Sequence, residues 1–254
     1  MPGVAQSLTE LDLRDGNHFP PSRDQRTQES CTAFAVASVL TYYRSLAQHR
    51  PVITASNTLD YGVVVSPTFM YNQLNVVNGT HVNGGIWLYD ALRLTQDVGE
   101  ATLDEMPPYD ENDLTSTPSP DVVKRAIAFR ISGYSRISPD TESMRRWLQL
   151  NTPILVDIVM TDRLDSLGPA DKWLWALDEH GSPGNTVRDP ATGAEAAHSL
   201  VIIGYSDQRK AFLAQNSWGQ DWGDNHTGTF WISYDVLRSR EILRMALIVG
   251  RYPS

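Results

Sequence analysis

The sequence predicts an α+β chain, helical in its first half and built on an antiparallel sheet in its second. Two observations carry that expectation. A long run of apolar and small residues with helical spacing starts at Cys31, and from about residue 126 the pattern changes to short β-rich runs separated by turn residues. Between them, residues 103–121 are rich in proline, serine, threonine and acid, the composition of a loop or crossing. With 254 residues and 41% hydrophobic content, the chain can bury one large core or two modest ones.

Taken in order, residues 1–24 are polar and proline-containing and suit an extended arm. In the segment 31–46, Ala33, Phe34, Ala37, Leu40 and Tyr43 recur at helical spacing, and Val36 and Val39 fill the other side. That predicts a helix buried on most of its circumference, with Ser30 as N-cap. The run Val63-Val64-Val65 ends at Ser66-Pro67, and residues 68–74 begin a second helix. After the turn Asn83-Gly84-Gly85, residues 86–99 read as an amphipathic helix carrying Ile86, Tyr89 and Leu92 and ending at Gly99. The paired glycines also allow another backbone to approach. Strands are then expected within 126–137, 153–160, 198–206, 211–218, 228–237 and 245–252, with a short helix at 141–150 and a Gly-, Pro- and Asp-rich insertion at 161–195.

Charge and composition exclude several classes. Lys plus Arg number 21 against 30 Asp plus Glu, a net charge of −9 without a basic run, which disfavours nucleic acid and anionic membranes as partners. No apolar stretch reaches the roughly 20 residues of a membrane span, and the first residues lack the charged and apolar regions of a secretory signal. A single cysteine forms no internal disulfide and fits a reducing compartment, so a cytoplasmic location is expected.

That lone thiol sits where chemistry is available to it. At the first turn of a helix, unpaired N–H groups and the positive end of the dipole favour thiolate over thiol. Gln25, six residues upstream, can offer a donor back toward the sulfur. For this stretch alone an inert core cysteine is the simpler reading. Of the six histidines, His198 stands at the mouth of a strongly apolar strand, followed across a hairpin by Asn216-Ser217-Trp218-Gly219 and Trp222-Gly223. If 198–206 and 211–218 pair as antiparallel neighbours, His198 and Asn216 share one end of the ladder. The Asn216 amide oxygen then fixes the imidazole, and Trp218 covers that contact. A thiolate nucleophile needs such a held imidazole, and acyl transfer needs donors for the developing oxyanion, here Gln25 and the Cys31 backbone N–H.

In their order and spacing these residues resemble the papain (C1-type) family of cysteine peptidases. The resemblance rests on Gln25, Ser30-Cys31 with Ala33-Phe34-Ala35, Asn83-Gly84-Gly85 with Ala91-Leu92, His198 with Ile203-Gly204-Tyr205, and the specific block Asn216-Ser217-Trp218-Gly219 with Trp222-Gly223. It implies a papain-like two-lobe fold with a cleft between a helical left lobe and an antiparallel β-barrel-like right lobe. The chain then divides into an arm at 1–21 crossing to the right lobe, a left lobe at 22–120 and a right lobe at 121–254, whose end can return to the left. It further implies Cys31 as nucleophile, His198 as acid and base, Asn216 as orienter and Gln25 as oxyanion donor. Gly84 and Gly85 match a rim that pairs with an extended peptide, and Trp218, Asp157, Glu29 and Ala197 fall on the substrate side. The implied partner is a peptide or protein substrate, with no cofactor and no metal.

The sequence also departs from the family pattern. Thr32 replaces the usual Trp, Gln28-Glu29 replace a Cys-Gly pair, and Val82 stands where a cysteine is common. Glu29 opposes thiolate formation unless screened. If Glu29 and Asp157 both face the cleft, a Lys or Arg in the substrate is favoured. Two other outcomes fit the same residues: a catalytically silent module that binds peptides, and a ligase or cyclase using the same acyl-enzyme. Serine hydrolase and zinc peptidase motifs are absent, and the Gln25 and Asn216 contexts disfavour a transglutaminase type.

Overall fold

The computed structural model describes residues 8–190 and 192–252. Part of the expected arm, residues 1–7, lies outside them. In chain order the helices are α1 (Cys31–Gln48), α2 (Pro67–Leu74), α3 (Leu88–Asp97), α4 (Pro120–Ala126), α5 (Thr141–Gln149), α6 (Asp162–Asp165) and α7 (Tyr234–Arg238). The strands are β1 (Glu10–Asp12), β2 (Val76–Val77), β3 (Thr80–His81), β4 (Tyr134–Arg136), β5 (Ile154–Val159), β6 (Leu174–Trp175), β7 (Ala197–Ser206), β8 (Ala211–Gln215), β9 (Thr229–Ser233) and β10 (Leu243–Val249).

The second half builds one mixed sheet, in the order β4-β10-β5-β7-β8-β9-β6, with β1 added beside β7. It is an open path and does not close into a barrel, because its terminal strands β4 and β6 are only three and two residues long and do not meet. All pairings are antiparallel except β6 on β9. Strand β7 is the hub. Its first six residues pair with β5, its last three with β1, and its other edge with β8. Such a strand, covered on both faces, needs a nearly continuous apolar run, and Leu200 to Ile203 supply it with at most 1% exposure.

Helix α1 packs against β7, with everything from Cys31 to Ser45 buried. Small side chains at Ala33, Ala35 and Ala37 let it lie close to its neighbours, which include α2 and α3. A buried ion pair fixes its far end: Arg44 Nη1 lies 2.7 Å from Glu100 Oε1, and the Tyr252 hydroxyl donates to the same oxygen at 3.1 Å. Tyr252 therefore reaches the first helix, its hydroxyl also lying 3.1 Å from the Leu40 carbonyl.

Two sequence expectations change. In α3 the buried stripe is Leu88, Ala91, Leu92 and Thr95, while Tyr89 is exposed; the true i, i+3, i+4, i+7 set begins two residues after Ile86. Residues 126–137 are mostly not strand, because Ser119 caps and Pro120 opens α4, and only Tyr134–Arg136 extends. The 161–195 insertion carries β6, and Trp175 within it is 1% exposed, its indole donating to the Pro183 carbonyl at 2.8 Å.

The hub also explains one glycine. A Cβ on Gly204, at the register shift of β7, would lie 2.2 Å from the Leu11 carbonyl oxygen of β1. Gly204→Ala is expected to cost about 1–3 kcal/mol by forcing the two strands apart. A thermal unfolding midpoint equal to that of the parent protein would contradict this packing.

Candidate active site

Cys31 is the first residue of α1, so its side chain stands at the end of the helix where backbone N–H groups have no helical acceptor. Ser30 occupies the N-cap position, but its hydroxyl makes no capping bond; the favourable field for an anion comes from the helix backbone alone. Facing this turn are the first residues of β7. The His198 side chain hydrogen-bonds the thiol, and the Ser199 backbone N–H also donates to the sulfur.

Strand pairing fixes the imidazole. The β7–β8 ladder sets Val201 opposite Gln215, which carries Asn216 to the His198 end, and His198 Nε2 lies 2.8 Å from Asn216 Oδ1. The same oxygen accepts the Ser217 N–H at 2.8 Å. Two donors on one oxygen assign the amide orientation, so Nε2 bears a hydrogen and Nδ1 is the nitrogen left for Cys31. Trp218 lies against the ring at 5.3 Å between centroids, and Trp222, Phe230 and the insertion's Trp173 continue the aromatic stack behind it.

These contacts decide the charge state. Burial is the largest influence on Cys31 and pushes its pKa up, but the charge and hydrogen bond of His198 and the Ser199 N–H outweigh it, leaving the thiol below its ordinary value. Glu29 works weakly against them. For His198, burial pushes the pKa down; Cys31, Asn216 and Asp157 together raise it above the ordinary value. Both shifts move the pair toward thiolate and imidazolium.

Gln25 is 7% exposed and firmly held. Its Oε1 accepts from Ser217 Oγ at 2.6 Å, its Nε2 donates to the Gln28 carbonyl at 2.8 Å, and its carbonyl accepts the Tyr109 hydroxyl at 2.7 Å. One Nε2 hydrogen is thereby used and a second remains.

Of the other expected residues, Glu29, Gly85, Asp157 and Ala197 line one cavity of about 220 Å³ together with Cys31 and His198. Gly84, Trp218 and Gln25 lie outside its lining. A Cβ on Gly85 would meet nothing within 4 Å, so this rim is open to an approaching backbone. Among the described residues no group of three His, Cys, Asp or Glu side chains could hold a metal ion, and no helix is long and apolar enough to cross a membrane.

Sequence reasoning missed several supporting residues. Thr32 joins the two halves: its hydroxyl lies 2.9 Å from Ser199 Oγ and donates to the Ile86 carbonyl at 3.1 Å. Gln28, 2% exposed, donates to the Glu111 and Asp113 carbonyls, and Asn83 ties the Glu29 N–H and Thr27 carbonyl to the glycine rim. Glu195 and Arg244 also line the cavity. Their partners lie far away in the chain, so no local pattern announces them.

The family described as papain family cysteine protease matches residues 8–248. Among solved structures, xylellain, a cysteine protease from Xylella fastidiosa, superposes with a TM-score of 0.72 at 19% identity, over 97% of this chain and 87% of that one. A digestive procathepsin L 3 from the larval midgut of Tenebrio molitor gives 0.66 at 19% identity, over 98% and 73%. A cysteine protease from Carica candamarcensis gives 0.60 at 16% identity, over 97% and 100%. No curated protein matches by sequence. The family match along nearly the whole described chain, on a fold shared with these proteases, establishes that the protein belongs to the papain family of cysteine proteases.

Proposed function

We propose that this protein is a cysteine peptidase that opens peptide bonds through an acyl-enzyme formed on Cys31, with His198, Asn216 and Gln25 as its other working residues. The observation that carries the reading is the hydrogen-bonded line from Cys31 through His198 to Asn216, with the 2.8 Å bond at its far end, beside a cavity open to solvent.

In this mechanism the Cys31 thiolate adds to the scissile carbonyl carbon, and the carbonyl electrons move onto oxygen. The Cys31 backbone N–H and the remaining Gln25 hydrogen stabilise that oxyanion. His198 passes its Nδ1 proton to the leaving amine as the C–N bond breaks, giving a thioester. The neutral imidazole then takes a proton from water, whose oxygen adds to the thioester carbon; loss of the sulfur releases the acid and restores the ion pair. Asn216 holds the ring through both stages, and Trp218 keeps water from the bond that holds it. A lone cysteine, with no disulfide to maintain, supports a reducing, cytoplasmic setting, and a peptidase kept there needs narrow specificity, which favours a selective processing role.

With a broad peptide mixture analysed by mass, the parent protein is expected to yield cut products whose termini carry added water, and Cys31→Ala none. Products joined to an amine in place of water would assign transfer rather than hydrolysis, and equal products from both proteins would sink the proposal. Gln25→Ala should lower kcat by about 10²–10³-fold and Asn216→Ala by about 10²-fold, each also costing about 1–3 kcal/mol of stability because buried partners lose their hydrogen bonds; wild-type rates in either would remove that residue from the mechanism. The pH midpoint for alkylation of Cys31 should fall below the ordinary thiol pKa of about 8.5. In His198→Ala the groups that lower the thiol pKa are largely gone while burial and Glu29 remain, so the alkylation profile should move to higher pH. An unmoved profile would show that the imidazole does not charge the sulfur.

A further inference from the structure

The cavity beside Cys31 and His198 holds about 220 Å³, below the roughly 300–1,000 Å³ of sites that enclose whole small molecules. It is sized for one side chain of a longer substrate. Its charged lining consists of Glu29, Asp157 and Glu195 against Arg244. These acids are not equivalent. Glu195 is already engaged, with Arg244 at 3.2 Å and Arg188 at 3.4 Å. Glu29 is exposed and screened by solvent.

Asp157 differs from both. It lies within β5, opposite Ser199 of β7, is 9% exposed, and its carboxylate makes no hydrogen bond or ion pair with the described residues. Burial raises its pKa, and the charges of Arg244 and His198 only partly offset this. A carboxylate in that position is stabilised by an incoming cation with N–H donors and destabilised by an apolar side chain that removes its remaining water. Arg244 does not fill that role, since its guanidinium already faces Glu195. The approach to Asp157 suits a long basic side chain: Ile86 and Leu88 line the cavity for a methylene stem, and Trp87, 71% exposed at its edge, offers an aromatic face to a cation.

We infer that the cleft selects a substrate with a lysine or arginine close to the scissile bond, whose cationic head pairs with Asp157. This rests on the peptidase reading above and adds the substrate class to it. The test uses paired peptides that differ at one position at a time, lysine against its uncharged counterpart glutamine and arginine against citrulline, on the parent protein and on Asp157→Asn. At one position near the cut, the basic peptide should show kcat/KM about tenfold or more above its neutral pair, and that ratio should fall to near one in Asp157→Asn. The ratio is the readout because a general loss of activity cancels in it. Peptides cut without basic preference, a preference that survives Asp157→Asn, or a preference for acidic residues would each overturn the inference. If no peptide is cut, the peptidase reading fails on its own. The affinity of lysine and glutamine peptides for Cys31→Ala protein then decides the question: tighter binding of the lysine form, lost in the Cys31→Ala, Asp157→Asn double variant, supports it, and equal affinity overturns it.

Discussion

The contact between the first turn of α1 and the first residues of β7 is the constraint on which the rest of the structure depends. A sulfur and an imidazole that are both buried gain from exchanging a proton only if the resulting charges face each other and find further hydrogen bonds. The Ser199 N–H on the sulfur and Asn216 on the imidazole supply those bonds. A shift of β7 by one residue would turn His198 to the opposite face of the sheet and leave the thiol as an ordinary core cysteine. Register therefore sets the geometry of the site, and β7 is pinned on both edges, by β5 and β1 on one side and β8 on the other.

Hydrogen bonds hold the surroundings of the site where no disulfide can form. Gln28 ties the 25–30 loop to the 103–119 segment through two carbonyls, Asn83 laces it to the glycine rim, and Thr32 bridges from Ile86 to Ser199. Each bond contributes only about 1 kcal/mol, yet a buried polar group left without its partner costs more than the bond contributes. The arrangement is thus specified more sharply than its net stability suggests. The insertion at 161–195 joins the same scheme by placing Trp173 behind Trp222 and, through it, behind Trp218 and His198.

Much of this was legible in the sequence, for local reasons. The apolar run after Cys31 and the strand pattern around His198 and Asn216 are periodic, and the hairpin between the last two is short, so their juxtaposition follows from pairing rules. The cavity was less legible. Asp157 sits inside the apolar run of residues 153–160, where only the register with β7 turns it toward the site, and the Glu195–Arg244 pair depends on β10 lying next to β5. The strand pattern of 126–137 misled because β-branched and aromatic residues also fit the single turns that follow the proline-opened α4. The sheet's failure to close reflects the shortness of its terminal strands, a tertiary outcome that alternating hydrophobicity does not encode.

The ion pair across the cleft is tested most directly by titrating the His198 ring nitrogens by NMR in the parent protein and after Cys31 is capped with an uncharged alkyl group. The account predicts that the imidazolium persists above the ordinary histidine value of about 6.5 in the free protein and falls back to that value or below once the sulfur is capped. A ring that titrates at the same pH in both forms, at or below the ordinary value, would contradict it.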